Sequence, residues 1–176
     1  MYKRRQFDAL RASAHATGDT LYSIDIKPIY AAKGDKEASG SLLPASEVKV
    51  LKRDGDWLQI EITSIRGDVQ QQVKTLEKTT VADTNTEWSK LQATAWMKKG
   101  DMVNDIKPIW AYADSLYNGT CNQCHGAPEI SHFDANGWIG TLNGMIGFTS
   151  LDKREERTLL KYLQMNASDT AGKAHG

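Results

Sequence analysis

The chain has 176 residues, and its 22 basic and 22 acidic side chains give a formal net charge of zero at pH 7. This balance argues against electrostatic binding of nucleic acid, which requires a basic face. No apolar run approaches the roughly 20 residues that span a bilayer, and the N-terminus lacks the apolar segment of a secretory signal. If the protein is exported, we therefore expect its signal or anchor to lie outside this sequence.

The first part of the chain has the pattern of a small β module. Residues 1–19 are predicted to be a linker or an N-terminal extension, and residues 20–103 contain short apolar runs separated by Gly, Pro and Asp. The clearest signal is a hairpin, in which apolar and polar residues alternate on both sides of the turn dipeptide Asp54-Gly55. Its predicted inward-facing residues are Val48, Val50, Leu58, Ile60 and Ile62. Short, punctuated strands of this kind favour a small barrel.

After a turn at residues 99–101 the apolar period changes to that of helices. Residues 104–168 are predicted to form an α module, and residues 169–176 a loose tail. We expect one helix to begin near Pro108, one to be capped by Asp134, and one to open at Asp152 with Glu155 in capping-box register. The predicted apolar stripes are Ile109, Ala113, Leu116 and Tyr117, then Trp138, Ile139, Leu142, Met145 and Ile146, then Leu159, Leu160, Tyr162 and Leu163. The predicted fold class is α+β.

Both cysteines of the chain lie in T-C-N-Q-C-H-G, where Cys121 and Cys124 precede His125. A structural zinc site needs four ligands, and the sequence has no second cysteine pair and no finger-like histidine spacing. A thioredoxin-type dithiol follows a strand in a βαβ unit, whereas a helical pattern runs into this motif. A chance occurrence would leave two idle thiols in a chain that has no others. The fourth interpretation, covalent haem, has C-x-x-C-H as its signature, and it is our prediction.

The spacing of the motif suits one covalently bound haem c. Positions i and i+3 lie on one face of a helix, and position i+4 lies beside them. Cys121 and Cys124 can therefore form thioethers along one porphyrin edge while His125, the proximal axial ligand, reaches the iron from the same side. We expect the other ring nitrogen of His125 to donate to a backbone carbonyl of the following loop, such as that of Pro128.

The helix that leads into the motif resembles the first helix of class I c-type cytochromes. In that family a small residue and an aromatic residue stand where this chain has Ala113 and Tyr117, although the small residue is usually Gly. The family packs them against an aromatic residue of the last helix, for which Tyr162 is the match. The resemblance implies a class I cytochrome-like all-α domain. Ordinary helix packing would give the same stripe, so the resemblance supports the fold more than the cofactor.

The sequence leaves two candidates for the distal axial ligand. Met145 is the first choice, because class I cytochromes commonly place a Met ligand shortly before the lead-in to the last helix. The same residue would also suit a core position, since methionine fills gaps well. His132 is the alternative, because its loop lies close to the motif in sequence, and Met165 is expected to be packing. Methionine ligation raises the reduction potential relative to two imidazoles.

A longer resemblance covers about residues 20–168. The hairpin L-L-P-A-S-E-V-K-V-L-K-R-D-G-D-W-L-Q-I and the block H-F-D-A-N-G-W-I-G-T-L-N-G-M-I-G-F-T-S-L-D-K-R-E-E-R-T-L-L-K-Y-L-Q-M-N are similar to the C-terminal monohaem domain of TorC-type pentahaem cytochromes of the trimethylamine N-oxide respiratory system. The resemblance implies an SH3-like barrel before the haem domain. It also implies a periplasmic location, an inner-membrane anchor in the parent protein, an upstream quinol-linked tetrahaem module and a downstream molybdenum reductase. This chain has a single C-x-x-C-H, so it is either an excised C-terminal part or a natural monohaem relative. We expect the excised part, because haem attachment needs export and the sequence shows no export signal.

Three functional hypotheses follow. Electron transfer by a carrier that is not itself an enzyme is the prediction, and it requires both axial positions of the iron to be filled. The alternative is a haem-based ligand-binding or sensor domain with an open or exchangeable sixth position, for which no distal His-Arg pair is evident. A third hypothesis makes the β module a docking surface, although a fold alone says little about function.

Overall fold

The computed structural model describes residues 2–12, 18–64, 69–71, 79–82 and 89–171. Within these residues the chain is an α+β protein, as its two hydrophobic periods predict. The helices are α1 (Tyr2–Ala12), α2 (Lys107–Thr120), α3 (Ala135–Ile146) and α4 (Lys153–Met165). The strands are β1 (Thr20–Ser23), β2 (Lys27–Ile29), β3 (Gly40–Leu42), β4 (Glu47–Asp54), β5 (Trp57–Ser64), β6 (Val69–Gln71), β7 (Thr79–Ala82), β8 (Ser89–Lys98) and β9 (Met102–Val103).

The chain divides into two compact units. The β unit is Asp8–Ile106, and the helical unit is Met1–Phe7 together with Lys107–Gly176. The predicted domain boundaries, 20–103 and 104–168, stay predictions. No helix among the described residues is both long enough and apolar enough to cross a bilayer.

The β unit contains two antiparallel sheets. The six-stranded sheet has the order β7-β8-β5-β4-β1-β9, and the three-stranded sheet has the order β2-β3-β6. An isolated bridge joins them between Tyr30 and Trp96, with both N–H to O=C distances at 2.8 Å. Over the described residues these are open sheets, so the predicted closure into an SH3-like barrel is not confirmed.

The hairpin expected at Asp54-Gly55 is confirmed as β4 and β5. Asp54 pairs with Trp57 across the turn, and Gly55 has a φ of 59°, in the left-handed region that favours glycine. The residues predicted to face inward are all buried: Val48, Val50, Leu58, Ile60 and Ile62. They join a single apolar core with residues of β1, β2, β3, β8 and β9. The alternation of the two strands therefore fixes which face of the sheet covers the core.

A buried lysine is hydrogen-bonded to the turn that follows β8. Lys27 is only 7% exposed, and its ammonium donates to the carbonyls of Lys98, at 2.8 Å, and Gly100. Burial lowers the pKa of Lys27, and the nearby carboxylates of Asp101 and Asp25 oppose that shift. A buried cation must be hydrogen-bonded to be tolerated. Lys27 therefore fixes the turn after β8, at the position where the sequence shows a Lys-Gly-Asp turn.

In the helical unit, α4 packs against both α2 and α3. The stripe predicted on α2 is confirmed, because Ile109, Ala113, Leu116 and Tyr117 are all buried. On α3 the prediction for Ile139 is wrong: it is 38% exposed. The buried face of α3 runs through Ala135, Trp138 and Leu142, and the next residue after Trp138 is turned about 100° away from that face.

Both predicted helix caps of this unit are confirmed. The side chain of Asp134 accepts from the amide of Gly137 at 2.6 Å. The side chain of Asp152 accepts from the amide of Glu155 at 2.8 Å, and the Glu155 side chain accepts from the amide of Asp152 at 3.1 Å. These bonds satisfy amides at the first turn that have no partner within the helix.

Parts of both predicted terminal segments have defined structure among the described residues. Most of the segment predicted as a linker is helix α1, where Phe7 and Leu10 are buried three positions apart. Asp169, placed in the predicted loose tail, accepts from the amide of Ala135 at 2.9 Å and so holds the start of α3. The last residues of that tail, 172–176, lie outside the described part of the chain.

Candidate haem site

The C-x-x-C-H motif lies at the end of α2. The helix stops at Thr120, Cys121–Gln123 continue as a single 3₁₀ turn, and Cys124 keeps helical dihedral angles. The side-chain amide of Gln123 donates to the carbonyl of Gly119 at 2.8 Å, which ties the turn to the helix. The two cysteines therefore stand on consecutive helical backbone, and the motif follows a helix rather than a strand. This placement differs from that of a thioredoxin-type dithiol.

A cavity of about 700 Å³ adjoins the motif, and Cys121, Cys124, His125 and Met145 all line it. Pockets that bury small organic ligands span roughly 300–1,000 Å³. The other lining residues are uncharged: Thr120, Gln123, Gly144, Gly147, Phe148, Thr149 and Ser150. The structure thus brings Met145 to the same cavity as the three motif residues.

His132 is placed differently. It ends a short 3₁₀ turn, its side chain is exposed, and its ring lies edge-on against Phe133 with the centroids 4.8 Å apart. His132 is not among the residues that line the cavity. The other methionine considered from the sequence, Met165, is buried at 8% exposure. Of the two candidate distal ligands, only Met145 lines the cavity, and the identity of the ligand stays a prediction.

The imidazole of His125 has one nitrogen oriented by the backbone. Nδ1 lies 3.1 Å from the carbonyl oxygen of Gly126. With the proton on Nδ1, that nitrogen donates to the carbonyl and leaves Nε2 as an electron-pair donor for a metal. The partner is thus a backbone carbonyl of the loop that follows the motif, as expected, and it belongs to Gly126. The carbonyl of Pro128, which was named as one example, accepts from the hydroxyl of Tyr117.

Two aromatic residues hold the loop that follows the motif, and we call Tyr117 and Trp138 the loop clamp. The Tyr117 hydroxyl donates to Pro128, and the Trp138 indole N–H donates to the carbonyl of Ile130 at 2.9 Å. Burial, with the charge of Cys121 adding to it, raises the pKa of Tyr117 to about 12, so its hydroxyl stays protonated to a higher pH than that of an ordinary tyrosine. The two rings meet edge-on with the centroids 6.0 Å apart. The clamp connects the end of α2 to α3 across the loop that carries His125.

Tyr162 links α4 to α2. Its hydroxyl donates to Asp114 Oδ1 at 3.0 Å, and its ring centroid lies 5.6 Å from that of Trp110. Burial, followed by the hydrogen bond to Asp114, raises the pKa of Tyr162 to about 12. The packing of Tyr162 against Ala113 and Tyr117 stays a prediction, and the class I cytochrome-like arrangement of these helices is not confirmed.

The donor set suits covalent haem. Cys121 is partly buried, Cys124 is exposed, and neither forms a disulfide. Both cysteines line the cavity, as thioether bonds to a haem held there would require. Across the described part of the chain, no group of three or more His, Cys, Asp or Glu residues could hold a bare metal ion. The imidazole and the thioether of Met145 are ligands that haem iron accepts.

Comparison with known proteins also indicates a c-type cytochrome. The family model described as "TorC third cytochrome c domain" matches residues 15–66. Cytochrome c-type protein TorC of Escherichia coli strain K12 is 85% identical over 196 aligned residues, which cover 98% of this chain and 50% of that protein. The chain belongs to the TorC-type c-type cytochromes. TorC of Escherichia coli O157:H7 matches equally, and cytochrome c-type protein TorY of Haemophilus influenzae is 27% identical over 93% of this chain and 50% of its own length.

The TorC-type match has two features that bear on the site. The family model covers the first part of the β unit and ends before the C-x-x-C-H motif, so the β unit carries the family signature as well. The chain spans about half the length of the curated relatives it matches. No solved structure matches it significantly. Membership of a cytochrome c-type family implies covalently bound haem c.

Proposed function

We propose that the helical unit holds one haem c and that the chain is an electron carrier, not an enzyme. The proposal rests on one observation: a single cavity is lined by Cys121, Cys124, His125 and Met145. In this proposal the two cysteines form the thioethers, His125 Nε2 is the proximal ligand, and Met145 is the distal ligand. When bound, haem supplies a one-electron Fe(II)/Fe(III) couple. Cys121 and Cys124 would hold the haem covalently, and His125, oriented through Gly126, and Met145 would supply its two iron ligands.

The electron route is proposed from family membership. The relatives named TorC point to the trimethylamine N-oxide respiratory system, in which we place the chain on the periplasmic side. It would receive electrons from a quinol-linked multihaem module and pass them to a terminal molybdenum reductase. The β unit precedes the haem unit and carries the family-model match. We propose that it is SH3-like, with the bridge between Tyr30 and Trp96 as the point where its two sheets join.

The number of haems and their ligands can be tested on the purified full chain. We expect a ratio of one covalent haem per polypeptide and a low-spin spectrum that contains a methionine-to-iron charge-transfer band. Met145→Ala should remove that band and lower the reduction potential, because methionine ligation raises it. His132→Ala is the matched control and should change neither property.

Three results would refute parts of this proposal. A chain that binds no haem would remove the electron-carrier function altogether. An iron that is five-coordinate at rest and reacts with CO or peroxide would favour the alternative, a ligand-binding or sensor domain. If His132→Ala removed the sixth ligand while Met145→Ala left the spectrum unchanged, the assignment of the distal ligand would be wrong and the haem attachment would stand.

A further inference from the structure

Among the residues whose side-chain exposure the structure describes, the most exposed large apolar side chain belongs to Phe148. It is 87% exposed, compared with 46% for Leu51 and 38% for Ile139. Single exposed apolar residues are common on protein surfaces and need no special account. Phe148 differs from the other two because it also lines the cavity that holds Cys121, Cys124, His125 and Met145.

The backbone around Phe148 is fixed by hydrogen bonds. Its amide donates to the carbonyl of Met145 at 3.0 Å, and the amide of Thr149 donates to the carbonyl of Ile146 at 3.0 Å. The Thr149 hydroxyl donates to the same Ile146 carbonyl at 2.7 Å. The ring is therefore held three residues beyond Met145 by the turn that ends α3. Its exposure does not come from a loose connection.

The residues that line the cavity next to Phe148 present little apolar surface. Its neighbours on this side are Gly144, Gly147, Thr149 and Ser150, none of which presents a large apolar surface. A β-carbon added at Gly144 or Gly147 would meet nothing within 4 Å. Aromatic side chains bury about 150–250 Å² when they are covered. Phe148 is thus a large apolar side chain that lines the cavity with Met145 and is left mostly exposed.

We propose that Phe148 covers the edge of the haem on the Met145 side and shields it from water. This inference rests on the proposed haem attachment. An apolar shell around a haem limits solvent access and lowers the local dielectric, and this sets its reduction potential. Shielding disfavours the more highly charged ferric form. By shielding the haem, Phe148 keeps its reduction potential high, in addition to the contribution of Met145.

The first test compares reduction potentials of haem-loaded full-length variants. Phe148→Ala should shift the reduction potential to lower values. Phe148→Leu, which keeps an apolar side chain, should leave the potential close to that of the unmodified protein. Ile139→Ala is the matched control, because Ile139 is an exposed apolar residue of α3 that does not line the cavity. A Phe148→Ala protein with the potential of the unmodified protein would overturn the inference.

The second test measures stability with and without the cofactor. In the haem-loaded chain Phe148→Ala should lower the thermal midpoint. In a Cys121→Ala, Cys124→Ala background, which cannot attach haem covalently, the same substitution should leave the midpoint unchanged, because Phe148 is then mostly in water. An equal loss in both backgrounds would show an ordinary structural role and would overturn the inference.

The outcomes separate this inference from the proposed function. Absence of haem from the unmodified protein would refute the proposed function itself. A Phe148→Ala protein with unchanged potential and midpoint but slower electron exchange with a redox partner would assign Phe148 to a docking surface, again overturning the covering role. Retained haem with a lowered potential and a cofactor-dependent midpoint would support it.

Discussion

Replacing Trp138 with alanine should destabilise the helical unit severely. Trp138 is fully buried, its ring lies 5.0 Å from that of Phe133 and 6.0 Å from that of Tyr117, and its N–H donates to Ile130. Truncation of a buried Trp to Ala costs about 3–5 kcal/mol, against a total stability of about 5–15 kcal/mol for a typical domain. For a domain of this size each kcal/mol corresponds to roughly 4–8 °C. We therefore expect the thermal midpoint to fall by at least about 12 °C.

The measurement is thermal unfolding of the haem-loaded chain, followed by helical circular dichroism and by haem absorbance. Trp138→Phe keeps an aromatic ring but leaves the carbonyl of Ile130 without its donor, so it should cost about 1–3 kcal/mol. Ile139→Ala on the same helix should stay within about 0.5 kcal/mol. If Trp138→Ala shifted the midpoint no more than Ile139→Ala, the loop clamp would not stabilise the unit and the reasoning would fail.

Two further predictions concern ionisable groups. The pKa values of Tyr117 and Tyr162 are raised from 10.0 to about 12, so the unfolded chain ionises them first. Stability from these groups is present below pH 10 and is lost as the pH rises through about 12, which urea titrations should show and a double Tyr→Phe variant should flatten. Lys27→Met removes the donor to two carbonyls of the turn after β8 and should cost about 1–3 kcal/mol in urea unfolding. The same change at the exposed Lys99 should cost far less, and equal losses would contradict a structural role for Lys27.

The features that could be predicted from sequence are those whose causes lie within a few residues. The capping box of Asp152 and Glu155 and the cap at Asp134 are complete within three positions, and both are present. Gly55 in the hairpin turn is a similar case, since the required φ is local. The placement of the C-x-x-C-H motif is also local, because Cys121 and Cys124 need only the end of one helix to share a face.

The pentapeptide D-I-K-P-I shows where local information ends. It occurs at residues 25–29 and again at residues 105–109. In the first copy Lys27–Ile29 form strand β2, which pairs with β3, whereas in the second copy Lys107 and Pro108 open helix α2. Identical residues adopt different structures because their pairing partners differ, and those partners lie elsewhere in the chain.

The features missed at the site have the same origin. The bond from Tyr117 to Pro128 joins residues 11 positions apart, and the bond from Trp138 to Ile130 joins residues 8 apart. Neither has a periodic signature, and both aromatic residues looked like ordinary core positions. The exposure of Phe148 beside the cavity was likewise invisible, because an apolar residue after a helix gives no indication of what it faces.

The exposure of the two thiols also has a consequence for the order of chemical events during maturation. Cys121 and Cys124 are three positions apart on one helical turn, and solvent reaches both side chains. Such neighbouring thiols can react with each other in an oxidising compartment, through the same sulfur atoms that thioether formation needs. A short-range disulfide would thus compete directly with attachment of the cofactor. Attachment of the proposed haem should therefore depend on a reductant that keeps both sulfurs as thiols until the porphyrin arrives.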